Sequence, residues 1–152
     1  MNDSFILRDR IWREQNERVT LSSNATFASK SLGRYLDEEP DTFRTCFERD
    51  RDRIIHSKTF RRLKHKTQVF INPDGDHFIT RMTHTLNVTQ IGRSIAKTLG
   101  LNPDLTEAIC LGHDVGHSPF GHTGEDVLNE MLDGGWSHSE NSVRMLSIIE
   151  PL

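Results

Sequence analysis

The feature that most constrains the fold of this chain is a pair of helical patterns separated by a glycine. Apolar residues recur at helical spacing between Arg81 and Leu99, and Gly100 follows in a position that commonly ends a helix. Asn102-Pro103-Asp104 then supplies the N-cap, first-turn proline and first-turn acid of a second helix, which runs to His113-Asp114. The apolar stripe of the first helix consists of Met82, Leu86, Val88, Ile91, Ile95 and Leu99. These patterns predict an all-α fold.

The segments on either side of this pair also favour helices. Apolar residues between Thr42 and Leu63 recur at helical spacing through a basic segment. Two further helices are predicted at residues 124–132 and 140–149, joined by Gly134-Gly135. Residues 116–121 contain two glycines and a proline and are therefore predicted to form a loop.

Two other parts of the chain have a different character. A short hairpin is predicted near residues 68–80, because the apolar run Val69–Ile71 is followed by a strong turn signal at residues 72–76. The polar, weakly periodic residues 1–41 are predicted to be an N-terminal arm that folds only against a partner or the rest of the protein. Residues 42–152 are then predicted to be the domain.

The composition predicts a soluble, cytoplasmic protein. The net charge is −3, and no apolar run approaches the about 20 residues that span a bilayer. The start, MNDSFILRDR, carries a charge where a signal peptide needs an apolar region. Cys46 and Cys110 are predicted to be reduced thiols, because a secreted chain of this size usually has a denser cysteine framework. The basic run Arg49–Lys66 could line a phosphate entrance, form a solvated helix face or pair with the acidic residues Asp37–Asp41 of the arm. With less support, it could bind nucleic acid.

The segment HDVGHSPFGHTGE, at the end of the second helix, concentrates histidines and carboxylates. They are His113, Asp114, His117, His122 and Glu125. A His-Asp pair is usually a helix cap or a surface pair, but the apolar residues before this one place it toward the interior. A buried carboxylate is costly unless it is paired or binds a cation. A divalent metal accepts imidazole nitrogen and carboxylate oxygen together, and Gly116 supplies the helix end at which adjacent ligands can converge.

Other polar residues extend this group. A lone histidine at the position of His84 is more often a hydrogen-bonded core residue than a ligand, but Arg81 lies one turn before it on the same face. A histidine and an arginine on a buried stripe indicate a site for a metal and an anion. His117, His122 and Glu125 suit proton transfer and phosphate contact, and the alternative is that they are polar loop residues beside a turn.

Three segments, in order, resemble the HD-domain phosphohydrolases, and within them the deoxyguanosine triphosphate triphosphohydrolases and similar proteins. RDRDRIIHSKTFRRLKHKTQVF (residues 49–70) is similar to the N-terminal signature of that branch. RMTHTLNV (residues 81–88) is similar to its first-histidine helix, and HDVGHSPFGHTGE (residues 113–125) to its catalytic loop. The resemblance implies an all-α HD-domain bundle that hydrolyses deoxynucleoside triphosphates to deoxynucleoside and inorganic triphosphate.

The resemblance also implies site residues, a cofactor and an assembly. The implied metal ligands are His84, His113 and Asp114. The implied catalytic and phosphate-contacting residues are His117, His122, Glu125 and His138. The implied nucleotide contacts are Gln68 and Arg81. The cofactor would be one divalent ion, which could be Mn, Mg, Fe, Co or Zn, and the protein would be a homo-oligomer without a membrane partner.

The chain departs from the family pattern at two points. Around His138 the family commonly has Phe-x-His-Asn-x-Gln-Ser, and this chain has Trp136, Ser139 and Asn141 instead. The family's fourth ligand is an aspartate further downstream, and no aspartate after Glu125 lies in a comparable helix. The chain is therefore predicted to be a truncated fragment that holds three of four ligands. The alternative functions are an HD phosphohydrolase for nucleoside monophosphates or cyclic nucleotides, and a non-catalytic nucleotide-sensing module.

Overall fold

The computed structural model describes residues 8–34, 37–66 and 80–151, which form helices joined by loops. The α-helices are α1 (Arg10–Thr20), α2 (Cys46–His56), α3 (Lys58–Arg62), α4 (Arg81–Thr98), α5 (Pro103–Gly112), α6 (Gly121–Met131) and α7 (His138–Arg144). Short 3-10 turns occupy Ala28–Lys30 and Leu63–His65, and a π-helical turn at Met145–Ile149 continues α7. These ranges contain no strand, which confirms the all-α class. The hairpin predicted near residues 68–80 falls, except for Thr80, outside the described residues.

Helix α5 lies at the centre of the fold and packs against both α2 and α4. Asn102 starts it as predicted, because the side-chain oxygen accepts hydrogen bonds from the main-chain N–H groups of Asp104 and Leu105. The buried core that α5 shares with its neighbours consists of Ile54, Phe60, Leu63, Ala108, Leu111 and Val115. None of the described helices has the length and apolar character needed to cross a membrane.

The face that α4 buries differs from the predicted apolar stripe. Leu86, Ile91, Ile95 and Leu99 are between 51% and 61% exposed. The buried residues of α4 are Arg81, Thr85, Thr89 and Ala96. Small side chains on this face allow a close approach to α5: a Cβ atom on Gly92 would lie 2.9 Å from the sulfur of Cys110. The prediction of a helix was right and that of its buried face was wrong, because close backbone approach selected small residues over large apolar ones.

The N-terminal arm contains a helix, α1, that the polar sequence did not predict. Its N-cap is Asp9, whose carboxylate accepts a hydrogen bond from the main-chain N–H of Trp12. The Glu17 carboxylate accepts a hydrogen bond from Asn102, at 3.0 Å, and so joins the arm to the start of α5. The described part of the arm thus lies against the helices, while the boundary at residues 41 and 42 stays a prediction.

The arginines of α2 are neutralised by acidic residues. Arg49 and Arg53 both pair with Glu38 in the acidic arm, at 2.9 and 2.8 Å. Arg51 pairs with Asp104 in the first turn of α5, at 3.1 Å. Within the basic run, pairing with the acidic residues of the arm is therefore observed for Arg49 and Arg53, whereas Arg51 pairs with α5.

Helix α7 packs against the loop that follows α5. The main-chain N–H of Gly116 donates a hydrogen bond to the hydroxyl of Ser142, and the side chain of Asn141 donates one to the carbonyl of Gly116, at 3.0 and 2.7 Å. A Cβ atom on Gly116 would lie only 2.2 Å from the main-chain nitrogen of Ser142. The helix itself already ends at Gly112, so Gly116 is needed for the close approach of α7.

We expect Gly116→Ala to destabilise the chain by about 1–3 kcal/mol, because the new methyl group meets main-chain atoms that can move only if α7 moves. The control is Gly112→Ala, whose methyl group would meet the end of the Leu146 side chain at 3.2 Å and whose helix propensity improves. Urea unfolding of the two variants measures the difference. Equal unfolding midpoints would show that α7 does not hold the loop as described.

Candidate functional site

Three of the predicted ligand residues meet where α4 passes the end of α5. His84 lies on the first turn of α4, and His113 and Asp114 follow the last residue of α5. One ligand atom from each of the three lies within 4.8 Å of the others. The rings of His84 and His113 meet edge to face, with their centroids 5.7 Å apart. The structure therefore brings together the group predicted to hold a metal.

The ring of His113 is oriented as a ligand would be. Its Nδ1 atom lies 2.7 Å from the carbonyl oxygen of Cys110, and since a carbonyl can only accept, Nδ1 carries the proton and donates it. In the neutral ring the lone pair is then on Nε2, which is 3.5 Å from Oδ1 of Asp114. Ligand atoms bound at about 2.0–2.2 Å to one ion lie about 3 to 3.5 Å apart. The donor set fits a divalent metal, and the carbonyl of Cys110 fixes the tautomer.

A buried ion pair joins this group to the start of α4. The guanidinium of Arg81 donates to Oδ2 of Asp114 at 2.9 Å, and the two side chains are 4% and 5% exposed. Burial alone would raise the pKa of Asp114, but His113 and the hydrogen-bonded Arg81 lower it below its ordinary value. Asp114 is thus a carboxylate with one oxygen engaged by Arg81 and the other facing His113.

A second group lies beside the first and is organised by Glu125. Its carboxylate accepts hydrogen bonds from Nδ1 of His122, Nδ1 of His138 and the main-chain N–H of His138, at 3.0, 2.8 and 2.9 Å. Burial would raise the pKa of Glu125, but these bonds to His138 and His122 lower it to about 2. Because the two Nδ1 atoms face Glu125, the Nε2 atoms of both histidines remain for a ligand.

His117 connects the two groups. It is 3% exposed, and both of its ring nitrogens have no hydrogen-bond partner within the described part of the chain. Burial, with help from the charge of Arg81, lowers the pKa of His117 to about 4, so the ring is neutral at physiological pH. The ring stacks on that of His138, with centroids 4.5 Å apart and planes within 10°.

This stacking bears on what the second group can bind. His117, His122, Glu125 and His138 also offer ligand atoms within 4.8 Å of one another. The rings of His117 and His138 are stacked, however, so their nitrogen lone pairs lie in parallel planes. The two lone pairs cannot point at one ion unless a ring turns. The arrangement therefore favours hydrogen bonds to several separate oxygen atoms, such as those of a polyphosphate.

All the predicted site residues that the structure describes fall in these two adjacent groups. Gln68 lies outside the described residues. Sequence reasoning missed Ser142, whose hydroxyl donates toward the main-chain carbonyls of His113 and His138, at 2.8 Å in each case. The available signal was its position one turn after His138 on a predicted helix. Asn141, one of the departures from the family pattern, holds the carbonyl of Gly116 and so supports the loop.

Comparison with known proteins identifies relatives of this chain. Residues 81–151 match the family model described as the HD domain. The deoxyguanosinetriphosphate triphosphohydrolase-like protein of Caldanaerobacter subterraneus is 61% identical over 137 residues, which are 90% of this chain and 40% of that protein. The protein of the same name from Clostridium tetani is 55% identical over 148 residues, or 97% of this chain and 42% of that protein. The chain thus spans about two fifths of the length of these curated relatives.

We expect Arg81→Met to lower the free energy of unfolding by about 3–5 kcal/mol, because it leaves the buried Asp114 carboxylate without its cation. The control is Arg93→Met, also on α4, which removes a more exposed ion pair with Glu107 of α5 and should lower the free energy of unfolding by less than about 1 kcal/mol. Urea unfolding gives both values. Saturating Mn²⁺ should recover part of the loss in Arg81→Met, since the ion replaces a positive charge beside Asp114. Equal losses in both variants would contradict this account.

The low pKa of Glu125 also predicts a change in acid stability. A carboxyl group with a folded-state pKa of about 2, against 4.5 ordinarily, contributes stability that is complete above pH 4.5 and is lost as the pH falls through 2. Glu125→Gln should therefore show a shallower loss of stability between these pH values than the unmodified chain. Glu130→Gln, on the exposed face of the same helix, is the control. Unfolding midpoints measured across this range test the prediction, and parallel curves for all three proteins would refute it.

Proposed function

We propose that this chain contains the metal-dependent site of a deoxynucleoside triphosphate triphosphohydrolase. The proposal is supported by its match to the HD domain and by its similarity, over most of its length, to deoxyguanosinetriphosphate triphosphohydrolase-like proteins. The observation that carries the proposal is the adjacency of two groups of different chemistry. His84, His113 and Asp114 suit a divalent ion, and the group around Glu125 suits a polyphosphate.

The first group would hold the ion. His84, His113 and Asp114 would bind it through two imidazole nitrogens and one carboxylate oxygen. A divalent ion at this place supplies Lewis acidity to a phosphoryl oxygen and lowers the pKa of water. The protein's own contribution is orientation: the carbonyl of Cys110 fixes the tautomer of His113, and Arg81 fixes the rotamer of Asp114.

The second group would bind the triphosphate and move a proton. Hydrolysis adds water to the α-phosphorus and breaks the bond to the 5′-oxygen of the deoxynucleoside, which must take up a proton as it leaves. His122 and His138 can supply that proton and contact phosphate oxygens, because Glu125 orients both rings through their Nδ1 atoms and leaves both Nε2 atoms for the substrate. His117 is neutral and buried between this group and Asp114, where it can accept a hydrogen bond from the water or from a protonated phosphate oxygen.

Deoxynucleoside triphosphates are proposed as substrates because the relatives' names refer to deoxyguanosine triphosphate and because the second group suits several phosphate oxygens. An HD phosphohydrolase for nucleoside monophosphates or cyclic nucleotides would need fewer phosphate contacts. A non-catalytic sensing module would not need an oriented proton donor. A homo-oligomeric, cytoplasmic protein remains part of the proposal, as does the division into an arm at residues 1–41 and a domain at 42–152.

The experiment that tests the function compares this chain with the full-length relative from Caldanaerobacter subterraneus, each with Mn²⁺ or Mg²⁺ and each of the four deoxynucleoside triphosphates. The product measured is free inorganic triphosphate. Release by either protein supports the proposal, and release by the longer protein alone would show that residues beyond this chain complete the site. Orthophosphate as the product, or nucleotide binding without turnover in both proteins, would overturn it.

We expect His117→Gln to lower turnover by about 10²–10⁴-fold while Mn²⁺ still binds, because His117 is not one of the three residues proposed to hold the ion, His84, His113 and Asp114. The variant is made in this chain, and at the matching position of the longer relative. His56→Gln, an exposed histidine at the end of α2, is the control and should leave turnover unchanged. Calorimetric titration with Mn²⁺ separates loss of catalysis from loss of the metal. Full activity in His117→Gln would remove His117 from the mechanism.

A further inference from the structure

Lys66 is hydrogen-bonded to both Arg81 and His117, although it precedes them in the sequence. Its ammonium group donates a hydrogen bond to the main-chain carbonyl of His117, at 2.6 Å. Its own main-chain carbonyl accepts a hydrogen bond from the N–H of Arg81, at 2.9 Å. One residue therefore fixes the start of α4 and the loop after α5 relative to each other.

The environment of Lys66 differs from that of the α2 arginines in the same basic run. The α2 arginines pair with carboxylates, whereas the described partner of the Lys66 ammonium is an uncharged carbonyl. Burial lowers the pKa of Lys66, and the neighbouring charges of Arg81 and Arg62 lower it further, against the opposing effect of Asp114. An ammonium group held among other cations is unfavourable for stability alone, which points to a role at the site.

The position of His117 shows what that role is. Its ring nitrogens have no partner in the described residues, so hydrogen bonds do not fix the ring directly. It is held through its main chain, by its N–H to the carbonyl of Asp114 at 3.1 Å and by Lys66 at its carbonyl, and by stacking on His138. Without Lys66, the peptide after His117 would lose the donor that sets its direction.

We propose that Lys66 is a positioning residue of this site, which holds the His117 ring in its stacked place between Asp114 and His138 through the hydrogen bond to the His117 carbonyl. The proposal rests on the proposed function only for its catalytic consequence, because the structural contact exists without substrate. A lysine has three N–H donors and this contact uses one, so the role is compatible with phosphate contacts by the other two.

The test uses two variants of Lys66 and one of Lys64. Lys66→Met keeps the length of the side chain and removes the donor, and Lys66→Arg keeps a donor and the charge. Lys64→Met, on the exposed side of the preceding turn, is the matched control. The first measurement is the imidazole ¹⁵N–¹H spectrum of the metal-free chain, with the His117 signals assigned by their absence in His117→Gln. The second is steady-state triphosphate release with Mn²⁺ in whichever protein is active.

We expect the His117 ring signals to shift in Lys66→Met and to stay in place in Lys64→Met. Turnover should fall about 100-fold in Lys66→Met, mostly in kcat rather than KM, with Mn²⁺ binding retained, and should be partly restored in Lys66→Arg. Unchanged His117 signals in Lys66→Met would overturn the proposal. Failure of the proposed function is a separate result: no protein would release triphosphate, yet the spectra would still decide whether Lys66 positions His117.

Discussion

The buried pair between Arg81 and Asp114 is the interaction on which the other parts of the site depend. It joins the first turn of α4 to the residue just beyond α5, two helices that the small residues of α4 bring close together. It also compensates a carboxylate that could not otherwise remain charged in the interior. Because Arg81 takes one oxygen of Asp114, the other oxygen is left facing His113. The geometry of the proposed metal ligands is therefore a consequence of how two helices pack.

The second group depends on a different constraint, the absence of a side chain at Gly116. That absence lets the backbone of α7 pass close enough for Ser142 to bond to both sides of the loop. The same approach brings His138, at the start of α7, onto the ring of His117 and within reach of Glu125. The loop at Gly116, α6 and α7 thus meet at one place, and a methyl group at Gly116 would oppose that approach.

The sequence predicted the helices that carry apolar periodicity and capping residues. It also indicated the residues that the structure groups at the candidate site: those in residues 113–125 by their concentrated histidines and carboxylates, and His138 by the family resemblance. It did not predict α1, whose residues are polar and whose stability comes from contacts such as Glu17 with Asn102. It assigned the wrong face of α4 to the core, because periodicity reports large apolar residues and the close approach at Gly92 requires small ones. The contact of Lys66 with the His117 carbonyl involves a main-chain atom, which no side-chain pattern can reveal.

The two groups also differ in what they require in order to form. In small metal-dependent domains the ion supplies the folding energy, because the ligands have no other partners. Here Asp114 is neutralised by Arg81, and His113 is held by the carbonyl of Cys110, before any ion arrives. The proposed ligands Asp114 and His113 are therefore positioned by protein contacts. Folding of the α4–α5 junction does not depend on the proposed ion, because the buried Arg81 already supplies a positive charge beside Asp114.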